Sequence, residues 1–160
     1  MGKERMFDFC TSCRKDTSYK MQKKTVQKVI RDKTYDFKIT VAVCDECGEE
    51  MDIPGLLDAN IKSIDEQYRH IEGLVSIDDI QKIMDIYNIG KAPLSMALGF
   101  GEITITRYLA GQMPSKEYSD IIKKALSSPN YMMKLLNENM EKMGETAYKK
   151  AIKAAEEIAG

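Results

Sequence analysis

The sequence has a single histidine, only four cysteines, four prolines and almost no net charge, and it has no long apolar run. No stretch approaches the roughly 18 to 20 uninterrupted apolar residues that span a bilayer. The start, Met1 to Phe9, is charged and carries no apolar signal core. Neither a membrane span nor a secretion signal is expected, and a cytoplasmic location is. A formal charge of -1 means that a nucleic-acid reading gains nothing from the overall balance and must rest on where the charges lie. Acids outnumber bases eight to three between residues 52 and 89, whereas bases lead eleven to nine in 1–51 and five to three in 90–124. The acidic surplus thus sits between two mildly basic ends. The one histidine, His70, lies on the polar side of a helical stretch, far from the cysteines, and no role is expected for it.

At 160 residues and 43% apolar content, the chain fits one medium domain or two small ones with a core. The four cysteines form two tight pairs, Cys10/Cys13 in Phe-Cys-Thr-Ser-Cys and Cys44/Cys47 in Val-Cys-Asp-Glu-Cys-Gly. Without a secretion signal, metal ligation is a better use for them than disulfides. Each pair sets two sulfurs close enough to share a tetrahedral ion, and the glycine at 48 suits a tight turn. A pair of redox-active Cys-x-x-Cys sites is the alternative, but the βαβ context of a thioredoxin-like site is absent. Four thiolates would close the coordination shell and leave no position for water, so the expected zinc is structural and an enzyme is not expected.

The insert between the pairs carries strand signals. Thr25 to Ile30 mixes β-branched and polar residues, Tyr35 to Val43 alternates with period two, and Arg31-Asp32-Lys33 reads as the turn between them. Met51 to Gly55 breaks this pattern, and from there the period becomes helical. Ile61, Ile64, Tyr68 and Ile71 predict an amphipathic connecting helix ending near Gly73. Ser76 is the expected N-cap of a helix whose stripe is Ile77, Ile80, Ile83, Met84 and Tyr87, with Gly90 as its left-handed stop.

Pro93 then opens a short helix through Leu98. A turn at Gly99 to Gly101 leads to a second helix pinned by Ile105 and Tyr108 and stopped at Gly111. This is the pattern of a helix-turn-helix. Its exposed face would carry Gly101, Glu102, Ile103, Thr106 and Arg107, chiefly at the end that a recognition helix offers to base edges. Arg107 can reach guanine O6 and N7 in a bidentate manner, Thr104 and Thr106 can meet phosphate or a thymine methyl, and Glu102 can accept from cytosine. An ordinary helix pair in a small bundle is the alternative, because Ile103 to Thr106 are mediocre helix formers. Ser115 caps a further helix through Leu126, and Ser127-Ser-Pro129 breaks it. Two stripes follow, Met132/Leu135/Leu136/Met143 and Tyr148/Ile152/Ala155/Ile158, suited to a core or a dimer seam. The eleven methionines suit core packing or an adaptable protein-binding surface.

The expectation is therefore an α+β chain: a β-rich four-cysteine zinc ribbon (1–52), a connecting helix (53–75), an all-α helix-turn-helix domain (76–126) and extra C-terminal helices (127–160). From about residue 7 to 126 the order of paired cysteines, β-rich insert, second pair with glycine, and helix-turn-helix resembles the MqsA (YgiT-type) antitoxins, which carry an Xre-like helix-turn-helix. The most specific local likeness is Gly99-x-Gly101 followed by Thr106-Arg107-Tyr108 and Gly111. The resemblance implies one structural Zn2+ on Cys10, Cys13, Cys44 and Cys47, and a homodimer that represses its own toxin-antitoxin operon. It further implies a ribbon that holds a cognate toxin, and Arg107 in the place of the family's base-reading arginine. Ile103 departs from it, standing where the family usually has a polar base-contacting residue, and about thirty residues follow the helix-turn-helix. Pro93 to Leu126 is also similar to the segment preceding the SocA/Panacea domain of longer antitoxin-type regulators. The alternative function is a protein-binding antitoxin or adaptor with little specific DNA binding.

Overall fold

A computed structural model describes residues 6–160; the start of the expected ribbon, 1–5, lies outside the described residues. The chain is α+β, a four-stranded antiparallel sheet followed by eight helices among the described residues. It divides into two compact units, Met1–Tyr68 and Arg69–Gly160, the division falling within the helix expected to connect them. No helix among the described residues is long and apolar enough to cross a membrane.

The first unit is built on β1 (Met6–Cys10), β2 (Lys15–Ile30), β3 (Lys33–Cys44) and β4 (Glu50–Met51), in that spatial order. The β2–β3 hairpin is much longer than its alternating segments indicate. Its pairing runs unbroken from Tyr19↔Cys44 to Ile30↔Lys33, so β2 starts at Lys15 rather than Thr25. Lys20, Gln22, Lys23 and Lys24 are exposed and polar on both faces, which erases the period-two signal; main-chain pairing with the more apolar β3 holds them extended. Strands β1 and β4 also escape the sequence pattern, the first because Phe7 and Phe9 alternate with only one polar residue, the second because it is two residues long. The hairpin turns through Arg31 and Asp32, with φ of 49° and 66°. This is the two-residue geometry whose twist matches the strands, made here without glycine.

Helix α1 (Leu56–Glu72) completes this unit by an edge device. Strand β4 pairs only with Ala42 and Val43, leaving Lys38 and Thr40 without a strand partner on the edge of β3 away from β2. Gln67 accepts from Lys38 N–H at 2.9 Å and donates to Lys38 O at 2.7 Å. Asn60 does the same for Thr40, at 2.9 and 2.8 Å. A seven-residue spacing puts both amides on one helix face, where they satisfy the strand edge as a fifth strand would. Tyr68 meets Tyr35 edge-on at 5.4 Å between ring centroids. This orientation corrects the expected apolar stripe: Tyr68 is buried, but Ile61 and Ile71 are 58% and 53% exposed, because the amides rather than the isoleucines face the sheet.

The second unit contains α2 (Ile77–Ile86), α3 (Lys91–Ala97), α4 (Thr104–Leu109), α5 (Lys116–Ser127), α6 (Pro129–Glu138), α7 (Met140–Met143) and α8 (Glu145–Ala159). Ser76, Ser115 and Ser128 cap α2, α5 and α6, their hydroxyls accepting from the amides of Asp79, Tyr118 and Tyr131. Gly90 is not the left-handed stop of α2. Asn88 is, at φ 50°, with Asn88 N–H bonded to Asp85 O and Ile89 N–H to Met84 O. Asparagine tolerates this conformation, and Gly90, at φ −79°, becomes the N-cap of α3 instead. One core joins Ile80, Ile83, Tyr87, Leu94, Ile105 and Ile122 to Met132, Leu136, Ala151 and Ala155, so the helices after residue 127 share the core of the helix-turn-helix. Pro129 has no N–H to offer the carbonyl four residues back, and the buried Tyr87 hydroxyl donates to that carbonyl, Ala125 O, at 2.8 Å.

Candidate metal centre and nucleic-acid interface

Both cysteine pairs sit at strand ends. Cys10 ends β1 and Cys44 ends β3, and each following knuckle turns back on its first cysteine: Arg14 N–H bonds to Cys10 O at 2.7 Å, and Gly48 N–H to Cys44 O at 3.0 Å. Arg14 and Gly48 both take positive φ, 56° and 75°. Only the glycine is legible as a turn former. Within each knuckle the amide of the second cysteine points at the first sulfur, Cys13 N to Cys10 Sγ and Cys47 N to Cys44 Sγ, both at 3.5 Å.

All four sulfurs lie within 4.8 Å of one another and can hold one metal ion. Four sulfurs at about 2.3 Å around a tetrahedral ion would stand about 3.8 Å apart. Cys10 Sγ to Cys47 Sγ is 3.6 Å and Cys13 Sγ to Cys44 Sγ is 3.9 Å, so these two separations match a tetrahedral shell, and none of the six exceeds 4.8 Å. The pairs interleave across the two knuckles, and none of the four is in a disulfide. Cys10 and Cys44 are buried with Ala42 and Met51 in a core too small to hold a fold alone.

Thr17, on β2, is a site residue that the sequence pattern missed. It is buried, with its hydroxyl 3.2 Å from Cys44 Sγ. That hydrogen bond, reinforced by the Cys47 amide, holds the Cys44 thiol down at about 6. Cys13 is pushed up to about 12, first by hydrogen bonding with Cys47. Nothing in the local sequence marks Thr17; pairing of β2 with β3 beside the second knuckle places it. Exposed pairs Lys15–Glu46 at 3.0 Å and Lys20–Asp45 at 3.9 Å link the same strand to the knuckle, each contributing little. His70 is exposed on α1.

In the second unit, α3 and α4 form the helix pair read from the sequence. Leu94, Ala97 and Leu98 are buried on one side, and Ile105 and Tyr108 on the other. Gly99, at φ +78°, makes the turn: its N–H bonds to Met96 O and that of Phe100 to Ser95 O. Gly101, Glu102, Ile103, Thr106 and Arg107 are exposed, and Thr104 is half-buried. The helix is only six residues long, so Gly101 to Ile103 belong to the turn that leads into it rather than to the helix itself. Arg107 has no ion-pair partner among the described residues. Gly111, at φ +111°, stops the helix, with Gln112 N–H on Arg107 O.

Ser95 is the residue that the pattern missed here. Fully buried, it accepts from Ile105 N–H at 3.0 Å and donates to Lys91 O at 3.0 Å. Since Ile103 at the N-cap offers no side-chain bond, this serine of the preceding helix caps α4 from outside. No family model, no curated protein and no solved structure matches the chain.

Proposed function

We propose that the chain is a zinc-containing, DNA-binding transcriptional regulator, the antitoxin of a toxin-antitoxin pair that represses its own operon as a homodimer. The observation that carries this reading is the presentation of α4. Its apolar residues are seated in the core while Thr106, Arg107 and the Gly101-Glu102-Ile103 turn stay exposed at the end suited to base edges. Zinc is the ion favoured by four thiolates in a closed tetrahedral shell, and with every position taken by sulfur it serves structure and not catalysis. The chain is accordingly a binding protein and not an enzyme.

In this mechanism lysines on the phosphates set the register while Arg107 and its neighbours read a half-site of a palindromic operator. The test is fluorescence anisotropy of the zinc-loaded protein on duplex DNA from upstream of its own gene and on a scrambled duplex, at two salt concentrations. Preferential, salt-sensitive binding is expected. Arg107→Ala should lose about 1–3 kcal/mol on the operator and relax specificity at one position; an unchanged operator preference refutes the assignment.

A second reading, a protein-holding antitoxin or adaptor with little DNA specificity, is favoured by one feature. Met6, Phe7 and Phe9 on the edge strand β1 are 41%, 62% and 50% exposed. Aromatic side chains on a strand edge suit a protein partner. Equal weak binding to both duplexes, with capture of the adjacent gene's product, would decide for it.

A further inference from the structure

The strongest local charge imbalance lies outside the helix-turn-helix. Between residues 20 and 38 stand seven bases, Lys20, Lys23, Lys24, Lys28, Arg31, Lys33 and Lys38, against two acids, Asp32 and Asp36. All seven are exposed, and all fall on the β2–β3 hairpin or its turn. Lys24 is in contact with Glu50 at 3.0 Å and Lys23 with the Thr40 hydroxyl at 3.0 Å. Lys28, Arg31, Lys33 and Lys38 have no ion-pair partner among the described residues. Like charges crowded on so narrow an element repel one another and add nothing to the fold.

The pairing register orders these charges. Lys20, Lys24 and Lys28 recur every fourth residue of β2 and so share one face, roughly 13 Å apart. Lys33 lies opposite Ile30 and joins that face next to Lys28. Beyond these, Val29 near the turn is 71% exposed and unpacked. A two-stranded ribbon fits the DNA major groove, about 12 Å wide; Tyr35 and Phe37, the aromatic side chains of β3 that share the lysine face, are buried and not open to a bilayer, so the evenly spaced cations match a regular phosphate array better.

We propose that the hairpin from Lys20 to Lys38 is a second nucleic-acid contact, a basic two-stranded arm that lies against the phosphates of duplex DNA and adds affinity without reading sequence. It rests on the DNA-binding reading above, but works through a different element. Phosphate contacts act equally on all sequences and appear in the salt dependence, whereas Arg107 acts on the ratio between operator and other DNA.

The test compares the zinc-loaded full chain with its K28Q/R31Q/K33Q/K38Q variant on the operator duplex and a scrambled duplex across a salt series. Zinc content and far-UV circular dichroism serve as the check on folding. The variant is expected to weaken on both duplexes by the same factor, its log-affinity slope against log salt becoming shallower by about 0.9 for each phosphate that is no longer neutralised. If it loses zinc, K28Q/K33Q, which spares the turn residue and the Gln67-paired Lys38, is measured instead. An unchanged salt slope overturns the proposal, as does a weakening confined to the operator. Tighter binding of the parent chain to phosphatidylserine vesicles or to single-stranded RNA than to either duplex overturns it too. An Arg107→Ala variant that keeps its operator preference while the arm variant shows the shallower slope would fail the helix reading and leave the arm standing.

Discussion

Replacing Ser95 by alanine removes one oxygen from a site that is completely buried and leaves no cavity larger than that atom. The change nevertheless orphans Ile105 N–H, which has no other acceptor because it lies in the first turn of α4, ahead of any intrahelical partner. Lys91 O loses only its second donor. A buried donor left unsatisfied costs about 1–3 kcal/mol. A unit of about 90 residues has a stability of roughly 5–13 kcal/mol, so the loss is a substantial share of it. Urea unfolding followed by helical circular dichroism should show a lower midpoint at unchanged slope, and the thermal midpoint should fall by about 4–8 °C for each kcal/mol. Amide exchange at Ile105 should accelerate more than at Ile83, which lies in the same core. A destabilisation under about 0.5 kcal/mol, with Ile105 still protected, would mean that α4 does not depend on this external cap.

Stripping the metal with a chelator should unfold the knuckle end of the ribbon, whose own core is the small cluster of Cys10, Ala42, Cys44 and Met51, and leave the second unit folded. Loss of strand signal with helical signal retained is the expected spectrum, and collapse of both would contradict it. Thr17→Val removes the donor to Cys44, so the thiol should rise from about 6 towards its ordinary range, and metal affinity should fall by about 10–100-fold against a chromophoric competitor. The metal takes the thiolate, so the share of affinity that Cys44 supplies should be kept above about pH 6 and lost as pH falls through it; in Thr17→Val that loss should set in at higher pH. Tyr87→Phe should cost about 1 kcal/mol in the second unit by leaving Ala125 O without a donor, measured by the same urea titration.

Some features are legible because a local rule carries them. The cysteine spacings mark a tetrahedral donor set, Ser76 and Ser115 are caps, and Gly99 and Gly111 take positive φ where a helix must stop. The features that the pattern misplaces share a cause. Glycine usually fills the role of helix stop, which points to Gly90, yet Asn88 two residues earlier tolerates the same conformation, and the chain turns at the first residue that can. Ile61 and Ile71 have helical spacing, but spacing cannot say which of two adjacent faces of α1 meets the sheet; the hydrogen bonds of Asn60 and Gln67 decide that. The first half of β2 has no period, since its polar side chains are solvated on both sides and only pairing holds it.

The sequence by itself determined the serine caps of Ser76 and Ser115, the change from strand to helix after Met51, and the four sulfurs that can share an ion. These depend on contacts a few residues apart and on residue type. Only the tertiary structure decided what lies behind them, namely that Thr17 stands against Cys44, that Ser95 caps a helix it does not belong to, and that two amides finish the edge of β3. It also decided that Tyr87 serves the carbonyl left bare by Pro129. Each of these satisfies a polar group across a gap in sequence, and such partners are chosen by packing, which leaves no periodic trace along the chain.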